Sequence, residues 1–410
     1  VMSQKSSTTL TPLAEAFDKM LHSLPRVVDQ EPVALLNSVG RVLAADLVSG
    51  VNVPPLDNSA MDGYAVRTAD LVGEPIVLRV TQRIVAGQVG TLVSAGEAAR
   101  IFTGAPIPDG ADAVVMQEKC KLDGDQVEIL QVAVPGQNRR EAGEDIREGE
   151  ILLHSGRRLR PQDIGLAASV GLTELPVRRN LKVAVMTTGD ELVLPGTPLQ
   201  GSQIYNSNFF TLSALLQSLG AEVIEMDVVQ DDLSSTKLAL EEAASQADCI
   251  ISTGGVSVGE EDHVKAAVEA VGCLELWKLA IKPGKPFASG KVGDTQFFGL
   301  PGNPVSAFVT FVMAVRPCLL TMLGCDKTFA TTSLVQSGFE KGETGQRQEY
   351  IRAHLKKNAS GTTQLVPFDN QSSGVAASLS RADGLAIIPP YSSVARGDYL
   401  EFISFSELLV

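Results

Sequence analysis

Between residues 181 and 325 the chain alternates between short apolar runs and longer amphipathic ones. "LKVAVMT" has the content of a buried strand, and "NFFTLSALLQSLG" that of a helix ending at Gly220. "AEVIEMDVV", "DCIIST", "LELWKLAI" and "TQFFGL" read as further strands. "SSTKLALEEAASQA", "DHVKAAVEAVG" and the long "PVSAFVTFVMAVRPCLLTML" read as helices. Parallel strands need crossover connections, so a βαβα order implies a mostly parallel sheet with helices on both faces.

Open sheets of this kind bind ligands beyond the carboxyl ends of their strands. Five successive strand ends here carry Gly, Pro, carboxylate or Lys. They are Thr187-Thr188-Gly189-Asp190-Glu191, Asp231-Asp232, "TGGVSVGEED" over 253–262, "IKPGKPF" over 281–287, and Leu300-Pro301-Gly302-Asn303-Pro304. Each has a plainer reading. Asp190 and Asp231-Asp232 suit helix caps, Gly254-Gly255 suits a tight turn, and lysines are usually solvated. Taken together they offer carboxylates, glycine amides and lysines on a proline-stiffened loop. A phosphorylated or oxyanionic substrate with a divalent cation would use all three. The glycine loop is neither a Walker P-loop nor a dinucleotide fingerprint. No Ser-His-Asp or Cys-His set is legible.

At 410 residues the chain is too long for one core. Helices are expected over 10–24, 32–47 and 161–170, flanking a Gly/Val-rich stretch of short strands at 70–145. After about residue 328 short strands such as "QEYIRAHL" return. The expectation is an α/β multi-domain protein. A discontinuous helical domain takes 1–50 and 146–180, a β-rich insert 51–145, the α/β domain 181–327, and a small barrel-like all-β domain 328–410. The net charge of −14 argues against nucleic acid as a partner but not against a small anion. The basic groups Arg139-Arg140 and Lys278, Lys282 and Lys285 are therefore informative. No apolar run approaches the roughly 18 residues of a membrane span, and the polar "VMSQKSSTT" is not a signal peptide. Five cysteines and four scattered histidines lack metal-ligand spacing. Buried free thiols at Cys249 and Cys318 would suit a reducing, cytoplasmic setting.

One stretch stands outside this frame. "PPLDNSAMDGYAV", at 54–66, crowds Asp57, Asn58, Ser59 and Asp62 behind two prolines, more polar groups than a turn requires. With "TGAPIPDGADAVVMQE", "GEDI", "TTGDEL", "GGVSVGEEDHV", "KPGKPF" and "LPGNPVSAFVTF", in that order, it resembles the molybdopterin molybdenumtransferase family, which includes bacterial MoeA and the E domain of gephyrin. The resemblance implies insertion of molybdenum from molybdate into adenylylated molybdopterin. The adenylate is hydrolysed, AMP is released, and Mg²⁺ assists. It also implies an elongated homodimer with each site near the interface, and adjoining roles for molybdopterin adenylyltransferase and recipient molybdoenzymes.

Residue by residue, the motifs place Asp62, Asp145, Glu191, Asp231 and Asp262 in catalytic positions, with Glu191, Asp231 and Asp262 as Mg²⁺ ligands. Substrate-binding positions are Thr103, Arg140, Thr188, Gly254, Gly255, Ser257, Lys278, Lys282, Lys285, Pro301, Pro304, Ser306, Arg352 and Ser373. The family's arginine run before "GEDI" is interrupted here by Glu141 and Ala142, so Arg139 and Arg140 keep only part of its charge. Asp57 reads as a structural residue that holds its loop through backbone N–H groups. Two rival functions share these features: molybdopterin adenylylation, through the common α/β domain, and a non-catalytic scaffold. The extra domains and "SAMDGYAV" argue against the first, the intact acidic and lysine loops against the second.

Overall fold

The computed structural model describes residues 10–27, 29–255 and 263–408. In the α/β region six strands lie in the order Glu222–Glu225, Lys182–Thr187, Cys249–Thr253, Thr295–Leu300, Pro286–Val292 and Gly272–Lys278. The first four are parallel, as the alternation required. Side chains on the inner strands divide by the two-residue period. Val183, Val185, Ile251 and Phe298 face one apolar cluster, and Ala184, Met186, Ile250 and Phe297 the other. Burial on both faces is why these strands read as unbroken apolar runs.

Pro286–Val292 is a strand that the sequence reading did not separate; it runs against both neighbours. Its signal was the Gly293-Asp294 pair, a two-residue hairpin turn with Gly293 at φ +57°. The helix from Pro304 to Met322 widens into a π-turn over Phe311–Val315, just before Pro317 cannot donate its backbone bond. At 19 residues and mean hydropathy 1.8 it is, contrary to expectation, long and apolar enough to span a membrane. Polar residues such as Ser306 and Arg316 interrupt it without lowering the mean enough. It is 89% buried and serves as a core helix.

The expected helix over 32–47 is absent. Gln30–Ala34 is a strand, Leu35–Asn37 a 3-10 turn, and Gly40 sits at φ +80°. Its apolar spacing is explained by pairing with Glu174–Arg178, more than 100 residues away in sequence. Leu47–Val48 pairs likewise with Ile151–Leu153. These segments share a core of Leu43, Leu153, Leu159, Leu175 and Val177 with the helix Pro161–Ser169. The N-terminal helix Leu13–Leu21 instead packs Ala16, Phe17 and Met20 into the α/β core.

Asp163 in that helix is 3% exposed and takes side-chain bonds from Arg157 and Arg160 and the backbone N–H of Arg160. Burial pushes its carboxyl up, but the arginine bonds outweigh this and hold it at about 2. A depressed carboxyl stabilises the fold above its unfolded value of 3.8 and loses that contribution as pH falls toward 2. Asp163→Asn should therefore destabilise the chain by about 2 kcal/mol at neutral pH, with the deficit vanishing toward pH 2. Denaturant melts across that range would check it; an equal deficit at every pH would count against the ionic origin.

The insert is a six-stranded sheet ordered Ala113–Met116, Gly63–Val66, Glu97–Ile101, Ile76–Ile84, Gln126–Ile129, Cys120–Asp123. At the other end, Gln348–Lys357, Thr363–Pro367, Ser333–Ser337, Tyr399–Ser404 and Gly384–Ile388 close on themselves as a five-stranded barrel. Tyr350, Leu385, Ile387 and Ile403 of the barrel join the α/β core directly. Ile281–Lys282 adds a short parallel strand beside Gln348 and Glu349. The "KPGKP" loop is thus pinned to the barrel as well as to the sheet.

Candidate functional site

Two cavities open at the carboxyl end of the sheet. The first, about 470 Å³, lies between the sheet and the barrel. Lys282, Lys285 and Ser306 line one wall, and Lys341, Arg347, Glu349, Arg352 and Ser373 the other. Five of these side chains are basic and one is acidic. Arg352 is 1% exposed, and its guanidinium donates only to neutral oxygens: Ser378 Oγ at 3.0 Å and the carbonyls of Asn370 and Ser372 at 3.2 and 2.9 Å. Burial lowers its pKa from 12.5, yet a guanidinium stays charged at neutral pH. Among the described residues no carboxylate pairs with it. A buried charge of this kind calls for an anion.

The second cavity, about 390 Å³, is lined by Thr188, Glu191, Asn206, Asn208, Thr253, Gly254, Gly302 and Pro304, among others. Two helices begin here, Ser207–Ser218 and the long one at Pro304. Their N–H-rich ends favour anionic groups. Asn206 caps the first by accepting from Phe209 N–H, and donates to Thr187 Oγ1 at 2.8 Å. Asn208 donates to Thr253 Oγ1 at 3.0 Å and to the Gly302 carbonyl at 2.7 Å, tying two strand ends to the start of this helix. Gly254 sits at φ +95°, where a Cβ would stand 3.1 Å from the Thr188 carbonyl. The helix at Pro304 joins the cavities, since Pro304 lines one and Ser306 the other.

The insert carries the remaining groups. Asp62 Oδ1 accepts both the N–H and the Oγ1–H of Thr103 at 2.8 Å. The backbone bond from Thr103 is the main cause of its lowered pKa. Arg100 lies alongside, stacked on Tyr64 and Phe102 and donating to the Gly63 carbonyl. Asp57 fastens the loop from behind, as read from the sequence: it pairs with Arg139 and accepts from Ala142 N–H at 2.8 Å. Arg140 and Asp145 share a separate cleft with Val53, Pro54, Asn58 and Glu144.

The expected residues thus fall into groups. Lys282, Lys285, Ser306, Arg352 and Ser373 meet in the basic cleft, and Thr188, Glu191, Gly254 and Pro304 in the second cavity. Pro301 lies beneath that cavity, its carbonyl accepting from Thr253 Oγ1. Gly255 follows Gly254 at φ +63°. Lys278 does not line the basic cleft; it is half-buried and its carbonyl ties down Thr11. Asp231 does not line the second cavity, although its N–H reaches Asp190 Oδ1 at 3.4 Å. Asp232 is a helix cap, accepting from Ser235 N–H. Ser257 and Asp262 lie outside the described residues. Sequence reasoning missed Lys341, Arg347, Glu349, Asn206 and Asn208. The last two had a signal in "YNSN" at a helix start.

Among the described residues no three His, Cys, Asp or Glu side chains gather as a metal cluster. The described residues expected to hold a cation, Glu191 and Asp231, are carboxylates. Glu191 folds over Gly189, its Oε2 2.6 Å from where a Cβ there would stand, and Asp190 is joined to Asp231. All-oxygen donors of this kind fit Mg²⁺ rather than a softer ion.

Fold and clefts together define a multi-domain protein whose α/β sheet presents two adjoining cavities, one of them strongly basic. Comparison with known proteins is more specific. Residues 11–171 match the family described as "MoeA N-terminal region (domain I and II)", 184–321 the "Probable molybdopterin binding domain", and 341–405 the "MoeA C-terminal region (domain IV)". A Haemophilus influenzae molybdopterin molybdenumtransferase is 46% identical over 76% of this chain and 78% of its own. A Mycobacterium tuberculosis molybdopterin molybdenumtransferase 2 is 39% identical over 90% of this chain and 93% of its own. The crystal structure of the molybdopterin biosynthesis moeA protein from Pyrococcus horikoshii OT3 superposes with a TM-score of 0.84 at 32% identity, covering 97% of this chain and all of that one. The chain belongs to the molybdopterin molybdenumtransferase family.

Proposed function

We propose that the chain transfers molybdenum from molybdate to adenylylated molybdopterin, with hydrolysis of the adenylate and release of AMP. The observation that carries this reading is Arg352, a buried guanidinium paired with no carboxylate among the described residues, in a lysine-lined cleft within one helical turn of a second cavity. In this reading the basic cleft holds molybdate. Lys282, Lys285 and Arg352 supply charge, and Ser306 and Ser373 supply hydroxyl donors. The second cavity takes the phosphorylated pterin on helix N-termini and on the backbone near Gly254. Glu191 and Asp231 would hold Mg²⁺, joined by Asp262, and the ion would neutralise phosphate oxygens.

None of the cavities described combines insert residues with the sheet-end groups. Asp62, Thr103 and Asp145 would therefore act on the sheet-end site of a partner subunit in a homodimer. An adenylyltransferase would supply the substrate and molybdoenzymes would take the product, in a cytoplasm where Cys249 and Cys318 stay reduced. Incubation with adenylylated molybdopterin and molybdate should release AMP without consuming ATP, and sedimentation at micromolar concentration should give a dimer. ATP consumption would make the chain an adenylyltransferase; a monomer that turns over at full rate would overturn the shared site.

A further inference from the structure

We propose that Lys341 is a further oxyanion-contact residue of the basic cleft, and that Glu349 is the positioning residue that holds it and Lys282 in place. The proposal rests on reading that cleft as the molybdate site.

Glu349 stands directly opposite Lys282 in the short parallel pairing between the "KPGKP" loop and the barrel. Its side chain is only 10% exposed. Oε1 takes Lys282 Nζ at 3.1 Å, and Oε2 takes Lys341 Nζ at 3.1 Å. One carboxylate therefore bridges a lysine of the α/β domain and a lysine of the barrel. Both lysines line the cleft. Burial pushes the Glu349 carboxyl up, but the two lysine bonds more than offset this, so it stays ionised.

The backbone of Lys341 is fixed as well. Its N–H donates to the Val394 carbonyl at 2.8 Å, and its carbonyl accepts from Val394 N–H at 2.9 Å. A lysine has a long flexible stem, and ordering it on binding has an entropic cost. Here that cost is met in the folded protein. Each ammonium has three hydrogens, so one bond to Glu349 leaves others for a ligand. The single negative charge of Glu349 also leaves the cleft's five cations in clear excess, enough for a dianion.

The two ways Glu349 can act differ in sign. If it were only a counter-charge, removing it would tighten anion binding. If it positions the lysines, the neutral isostere should weaken binding although it removes a repulsive charge. Molybdate titration calorimetry on the full chain decides between them, with thermal melts confirming the fold. Lys341→Met should weaken molybdate binding about tenfold, and Glu349→Gln by a similar factor. The double variant should be weakened by well under a hundredfold, because both changes remove the positioned Lys341 contact and only the hold on Lys282 is lost in addition. Glu349→Asp, which keeps the charge, should recover part of the loss. Lys285→Ala, outside the clasp, should add its own factor to that of Glu349→Gln.

Tighter binding by Glu349→Gln, or a double variant weakened about a hundredfold, would overturn the positioning role. Parent-like binding by Lys341→Met with weakened binding by Lys285→Ala would overturn the Lys341 assignment and leave the molybdate cleft standing. Parent-like binding by all of these variants would remove the cleft reading itself.

Discussion

Arg352→Lys should bind molybdate about 100-fold more weakly than the parent, equivalent to about 2.7 kcal/mol. The replacement keeps the charge, so a purely coulombic role would be nearly silent. Arg352, however, is held as a planar fork, with Nε on Ser378 Oγ and Nη2 on the carbonyls of Asn370 and Ser372. A single ammonium cannot satisfy those three oxygens and also reach into the cleft. A lost charge-assisted contact accounts for about 1.5–3 kcal/mol, which is the size expected. Loss of the bond to the buried Ser378 hydroxyl, with those to the Asn370 and Ser372 carbonyls, should lower stability by a further amount of about 1–3 kcal/mol, too little to unfold a chain of this size. Calorimetry with molybdate, beside a denaturant melt, would separate the two effects. Parent-like affinity would mean that Arg352 is a barrel-core residue and the cleft binds through its lysines alone.

What was legible beforehand follows from the range of the interactions involved. The strand-end loops could be read because a parallel sheet puts all its carboxyl ends together, whatever the details of packing. Thr188, Glu191, Gly254 and Pro304 were found this way and do share a cavity. Pairings distant in sequence could not be read. The apolar spacing of 32–47 fits a helix and a strand equally well, and only the partner at Glu174–Arg178 decides between them. Lys341, Arg347 and Glu349 were hidden for a related reason. Lys341 and Arg347 sit in "KGETGQR", which looks like a solvated polar turn, and Glu349 near the start of the expected strand "QEYIRAHL"; only the pairing of that strand with the "KPGKP" loop brings them to the cleft. Lys278 shows the converse. Its spacing from Lys282 and Lys285 grouped the three by charge, but the end of its strand leaves it outside the cleft.

Asp62→Asn should slow AMP release about 100-fold or more while leaving substrate binding nearly unchanged. The geometry makes this substitution unusually clean. Both bonds that fix the side chain end on one oxygen, Oδ1, which takes the N–H and the hydroxyl of Thr103. An asparagine carbonyl can accept the same two hydrogens, so the loop keeps its shape and only the charge goes. Asp57, the residue that ties the loop to Arg139 and Ala142, is untouched. Any large effect must then come from the carboxylate itself, through orientation of the attacking species or through a developing charge. The bonds from Thr103 lower the Asp62 pKa below 3.8. The group is thus ionised throughout the neutral range, and activity that depends on it should fall only as pH drops through that lowered value. The acidic limb of AMP release should therefore lie below the usual carboxylate range in the parent and be missing from the residual activity of Asp62→Asn. In a homodimer with sites shared between subunits, mixing this variant with Arg352→Lys should restore part of the activity, because one heterodimer site would combine an intact loop with an intact cleft. AMP release at the parent rate would return "DNSAMDGYAV" to a structural role. Failure of the mixture to recover any activity, with heterodimers verified, would place both residues in the same subunit's site.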